Sequence, residues 1–163
     1  MSKYLLFFIS FITLIAAQSH KNFNLNNANN SEISLNFNLD DIQLEQKNDF
    51  TKIISSSKGE TSIIGMPKLP KFSTMVMLNP EIEYSISYNV LKSQKINNID
   101  IIPNQPIDKG LEKLNIDKID INFYNSNTSY PIESVILTEP LIMRDIVVSN
   151  ISVVPFSYNP ENK

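Results

Sequence analysis

EIEYSISYNV, residues 81–90, sets the fold class. Ile82, Tyr84, Ile86, Tyr88 and Val90 fall on one side of an extended chain, and Glu81, Glu83, Ser85, Ser87 and Asn89 on the other. Successive side chains of a strand point to opposite faces. This period of two therefore predicts a strand with one face on a core and one in water. The pattern recurs in SEISLNFNLD (31–40), where Ile33, Leu35, Phe37 and Leu39 alternate with polar residues. KFSTMVML (71–78) places Phe72, Thr74, Val76 and Leu78 on one face and stops at Asn79-Pro80. A weaker pattern runs through 42–54, around Ile42, Leu44, Phe50 and Ile53. Residues 99–102, IDINFYN (119–125), IESVILTEP (132–140) and LIMRDIVVSNISVVPFSY (141–158) are further strand candidates. In the last of these the apolar face switches near Ser149-Asn150, which predicts a β-bulge.

Between these runs lie turn and breaker residues. SSSKGE and SNTSYP read as turns. Pro67 and Pro70 in IIGMPKLP (63–70) each remove a backbone donor, so this piece is predicted as an extended edge or crossover. Leu111 and Leu114 have weak helical spacing, opposed by Gly110. About seven or eight short strands at turn spacings near ten residues indicate a mainly β domain, an antiparallel β-sandwich in type.

Composition narrows the class further. The chain has 163 residues, 42% hydrophobic, enough for one domain with a real core. A net charge of -3 and a single arginine give no electrostatic footprint for nucleic acid or an anionic membrane. Residues 1–19 follow the plan of a secretory signal peptide: Lys3, the apolar stretch YLLFFISFITLIAA, then small residues, with cleavage expected after Ala17 or Ser19. As a helix that stretch rises only about 21 Å, short of the roughly 30 Å hydrocarbon core, so no permanent membrane anchor is expected. KNFNLNNANN (21–30) is too polar to order itself, and residues 20–30 read as a flexible lead-in. Cysteine is absent, so an exported chain must be held by its core without disulfides. That tilts the source toward a bacterial envelope or extracellular protein.

The same inventory gives no catalytic centre. His20, the sole histidine, lies at the signal junction rather than inside a fold. Asp40-Asp41 lacks the Asp-x-Asp-x-Asp-Gly spacing of a calcium loop. Gly59, Gly65 and Gly110 are too few for a phosphate cradle, and no Gly-x-Ser-x-Gly elbow occurs. Asn29, Asn127 and Asn150 stand in Asn-x-Ser/Thr triplets, expected by chance in so Asn-rich a chain. Arg144 and Asp145, read on a strand, point to opposite faces, and Arg144 is expected in an ion pair or hydrogen bond. No cofactor and no metal are indicated, and binding, masking or assembly remain as functions.

Three pieces resemble one family. GMPKLP is similar to a Gly-x-Pro-x-Leu-Pro signature (Gly65, Pro67, Leu69, Pro70). EPLIMRD resembles a Glu-Pro-x-x-Met-Arg-Asp segment (Glu139, Pro140, Met143, Arg144, Asp145). VPFSYNP resembles a Pro-Phe-x-Tyr-Asn-Pro segment (Pro155, Phe156, Tyr158, Asn159, Pro160). All three occur in this order in the propeptides of gingipain-type cysteine peptidases, and the resemblance spans about residues 31–163. It departs at Asn79, an extra residue before Pro80. The resemblance implies a β-rich domain that keeps a downstream caspase-like peptidase domain latent and assists its folding. It implies catalytic His and Cys in that next domain, and none here. Lys109 and Gly110, in NQPIDKGLEK, are the expected inhibitory loop, a basic side chain on a flexible tip.

Two functions stay open on the residues alone: such a pro-domain, or a free-standing extracellular β-sandwich that binds a protein or glycan. Reading the coding sequence beyond Lys163 separates them. The ending, SVVPFSYNPENK, runs into a turn. A further strand is expected after it, to pair the strand before it, so the domain is read as truncated.

Overall fold

Pro70–Leu78 forms the strand on which the rest is built. The computed structural model describes residues 22–29, 31–106 and 118–162; the expected signal peptide, Ala17, Ser19, His20, Lys109 and Gly110 lie outside them. Nine strands and one helical turn are described. They are β1 (Phe23–Ala28), β2 (Ile33–Phe37), β3 (Gln43–Lys47), β4 (Phe50–Ile54), β5 (Gly59–Glu60), β6 (Pro70–Leu78), α1 (Ile121–Tyr124), β7 (Val135–Leu137), β8 (Leu141–Met143) and β9 (Ile146–Val153). The class is mainly β, and every sheet is antiparallel.

β6 keeps the face read from its sequence: Phe72 and Leu78 are buried, while Met75 and Met77 are exposed. It pairs with β5 at Pro70 and Lys71, and with β9 in unbroken register from Phe72↔Val153 to Leu78↔Val147. β9 is thus central. Its other edge takes β7 at residues 151–153 and β8 at 146–148. Both edges of β9 are thus occupied within the described residues.

The predicted bulge is displaced. β9 itself is regular, but opposite Ser149 and Asn150 lie three residues, Thr138, Glu139 and Pro140. The extra residue sits in the partner strand. Thr138 seals the gap: its N–H donates to the Asn150 carbonyl at 3.0 Å, and its carbonyl accepts from the Ser149 hydroxyl at 2.6 Å. Pro140, without an N–H, is tolerated at such an irregularity. The apolar face of β9 changes there because its neighbour changes from β8 to β7.

Two hairpins flank this sheet. β3 and β4 turn at Asn48-Asp49, where Asn48 has φ +54. β1 and β2 pair from Phe23↔Phe37 to Ala28↔Ile33. The Asn-rich lead-in is therefore partly a strand. Phe23 packs on Phe37, and Phe37 on Phe72 of β6, each at 5.1 Å between ring centres. That aromatic chain supplies the apolar anchor that a tally of asparagines overlooks.

Three further expectations change. IDINFYN is not a strand: Asp120 accepts from the Phe123 N–H at 3.0 Å and caps the helical turn α1. Arg144 and Asp145 are not on a strand: they are the two-residue turn between β8 and β9, with Arg144 at φ +56. Arg144 makes no ion pair or hydrogen bond with another described residue. EIEYSISYNV belongs to no strand: Glu81 and Ile82 turn away from the end of β6, and 83–90 carry no regular structure. Its alternation is real, yet no described segment lies beside it in register.

Candidate functional site

The core lies at one place, where Ile53, Leu69, Ile101, Phe123, Tyr130, Val154 and Tyr158 meet. Leu69 is 0% and Ile101 1% exposed. These two belong to the segments 61–70 and 99–106, which run side by side. The Met66 carbonyl accepts from Asn104 N–H at 2.8 Å, and Lys68 N–H donates to the Ile102 carbonyl at 2.8 Å. Between them Pro67 stands opposite Pro103, both fully buried. In an antiparallel pair this is the position that exchanges no hydrogen bond, so the two missing N–H groups leave nothing unsatisfied. Pro67 lies in a crossover through the core, whereas Pro70 opens β6, a position at the start of a strand where proline is tolerated.

Thr61 ties the crossover together. Its hydroxyl donates to the Pro67 carbonyl at 2.7 Å and accepts from Leu69 N–H at 3.0 Å and from the Asn104 side-chain amide at 3.3 Å. Gly65 then links both sides of the 105–118 loop. Its N–H donates to the Asn104 carbonyl at 2.9 Å, and its carbonyl accepts from Asp120 N–H at 3.0 Å. Gly65 has φ +84, and a Cβ there would lie 2.9 Å from Asp120 N, so two independent constraints require glycine.

Gln105 closes the base. Its side-chain amide donates to the Lys118 carbonyl at 2.7 Å and accepts from Lys118 N–H at 3.0 Å. The amide behaves as a backbone unit inserted between the two stems. Below it, residues 100–102 are held from three sides. Thr51 of β4 exchanges backbone bonds with Asp100 and Ile102. The Tyr124 hydroxyl donates to the Ile101 carbonyl at 2.6 Å, and the Tyr158 hydroxyl donates to the Asp100 carboxylate at 2.8 Å. Burial raises both tyrosine pKa values, and the Asp100 charge adds to the effect on each.

Gly65, Pro67, Leu69 and Tyr158 thus converge on the stem of one loop. Phe156 packs against the same cluster. Asn159 accepts from Glu161 N–H at 3.0 Å and makes the turn read from its sequence, with Pro160 buried behind it. Glu139, Pro140, Met143, Arg144 and Asp145 lie elsewhere, in the exposed hairpin of β8 and β9. Sequence reasoning missed Thr61, Asn104, Gln105, Asp120 and Tyr124. Only Asp120 carried a local signal, as an N-cap before Phe123. Among the described residues no group of three or more His, Asp or Glu could hold a metal ion. No described helix is long and apolar enough to cross a membrane.

Comparison with known proteins bears on this arrangement. The model of the family described as Propeptide_C25 matches residues 20–163. Among solved structures, the complex of the pro- and mature domains of RgpB from Porphyromonas gingivalis matches with TM-score 0.74 and 22% identity, over 89% of this chain and 79% of that chain. Gingipain K from the same organism, described for its zymogenic latency, matches with TM-score 0.67 and 14% identity, over 86% of this chain and 82% of that chain. At these identities the likeness is one of fold. No curated protein matches.

Proposed function

This chain belongs to the Propeptide_C25 family, and from that premise we propose that it is the secreted pro-domain of a gingipain-type cysteine endopeptidase. It keeps a caspase-like peptidase domain of the same precursor latent, assists its folding, and is removed by proteolysis. The observation that carries this reading is the stem: Gly65, Asn104, Gln105, Lys118 and Asp120 hold the two ends of the 105–118 loop together. A pre-ordered stem lowers the entropy lost when a loop enters a cleft. Lys109, followed by Gly110, is the side chain offered to the peptidase. A domain that binds only the folded peptidase also stabilises that fold by mass action. The solved complex of pro- and mature domains, sharing this fold, supports the partner.

Residues 1–19 direct export and are cleaved near Ala17 or Ser19. The pro-domain follows, and because β1 begins at Phe23 it includes most of the Asn-rich lead-in. No catalytic residue is assigned to this chain, and it takes no cofactor, nucleic acid or membrane anchor.

The test is inhibition in trans. The chain from residue 20, added to the separately produced peptidase domain of the same precursor, is expected to suppress peptide hydrolysis. Lys109→Ala is expected to raise the inhibition constant at least tenfold with an unchanged thermal midpoint. Equal inhibition by the variant removes Lys109 from the cleft. No inhibition by the unaltered chain removes the latency role.

A further inference from the structure

Residues 83–97 belong to no helix or strand and make no backbone hydrogen bond to another described residue. The stretch 83–90 nevertheless has the alternation of a half-buried strand, and its apolar side is open: Tyr88 is 54% and Val90 71% exposed. Free N–H and C=O groups in a row template pairing with another chain. Tyr84, Ile86 and Tyr88 line one cleft together with Val135, Ile136 and Leu137 of β7. β7 pairs with β9 along one edge only. An unpaired stretch of backbone and the open edge of β7 thus border the same cleft.

We propose that residues 83–90 form a docking strand, completed by main-chain pairing with an edge strand of the peptidase domain. The inference rests on the pro-domain reading above and adds a second contact to the loop. Two observations select this occupant. The stretch is continuous with the 99–106 stem, so a partner that takes the loop has the strand within reach. Glu133 also lines the cleft, Glu83 immediately precedes Tyr84 in the chain, and neither forms an ion pair with a described residue. That acidic rim suits an edge strand carrying lysine or arginine, as exposed edges commonly do. A second copy of this chain would instead place the same patch on both sides of the interface, acid against acid.

Hydrogen–deuterium exchange is the test, on the chain alone and with the peptidase domain of the same precursor. Amides 83–90 are expected to exchange freely alone and at least tenfold more slowly in the complex. Ser87→Pro and Tyr88→Pro each delete one N–H, on opposite edges of the strand. At least one is expected to raise Kd tenfold or more, while Ser87→Ala leaves it unchanged. If the chain inhibits the peptidase but these amides stay unprotected, or both proline variants bind like the unaltered chain, the docking strand is wrong and the pro-domain reading stands. Absence of any binding overturns both. Protection that rises with concentration of the chain alone assigns the strand to a second copy and overturns the proposal.

Discussion

Gly65 shows how much one residue without a side chain can fix. Its φ of +84 and the 2.9 Å approach of Asp120 N to a would-be Cβ act together. Gly65→Ala is expected to lower unfolding free energy by about 1–3 kcal/mol, the cost of a strained non-glycine residue, read from urea midpoints. Arg144 is the opposite case. It has φ +56 at the first position of a two-residue turn, and no described partner offsets that. Arg144→Gly is expected to raise stability by about 0.5–1 kcal/mol, because glycine occupies this region without steric cost. A loss of stability on that change would mean the guanidinium has a structural contact. Tyr124 and Tyr158 give a pH dependence. Burial holds both phenols protonated in the folded chain above their ordinary value of about 10. Their contribution is complete below about pH 10 and is lost as pH rises further, because the unfolded chain then releases protons that the folded chain retains. Urea midpoints taken from pH 8 to 12 should fall only at the alkaline end, and less so in Tyr158→Phe.

At the scale of elements, periodicity told which face of a segment is apolar but not whether a neighbour exists. For β6 the two coincide, because β9 runs beside it for seven consecutive pairs. For 81–90 they do not, and the most regular alternation in the chain belongs to no strand. The lead-in erred the other way. Its asparagines suggested disorder, while Phe23 found a place on Phe37 and through it on Phe72. Phe37→Ala is expected to release the β1–β2 hairpin from the sheet. Deleting such a ring typically costs about 3–5 kcal/mol when fully buried, and less here because Phe37 is only half-buried. Exchange protection should be lost first at residues 23–37 and kept in β6 and β9, since weakly docked elements open below the global unfolding free energy. Simultaneous loss throughout would show that the hairpin is integral to the cooperative unit.

For the whole molecule, the motifs that were legible as a resemblance turn out to be legible as physics in only two of three cases. GMPKLP and VPFSYNP build the cluster beneath the loop, through Leu69, Tyr158 and Phe156. EPLIMRD shapes a bulge and a turn in the sheet. The residues that join these pieces, Thr61, Asn104 and Gln105, could not be read from sequence. Their roles arise from pairing across more than thirty positions of chain or from a side chain standing in for backbone, and no local pattern encodes either. Gln105 offers the sharpest consequence of that organisation. Its amide makes two bonds to Lys118, and alanine would remove both while leaving the backbone pairs of Asn104 and Asp120 to Gly65 in place. Each lost bond is worth about 0.5–1.5 kcal/mol. If the stem exists to present the loop, that energy is lost from the bound geometry. Gln105→Ala should then weaken inhibition about five- to 150-fold, the factor to which two such bonds, about 1–3 kcal/mol, convert. Lys109→Ala added to it should weaken inhibition by less than the product of the two single effects, because a loop already loosened holds its lysine poorly. Full multiplicativity would mean that stem and loop tip act independently.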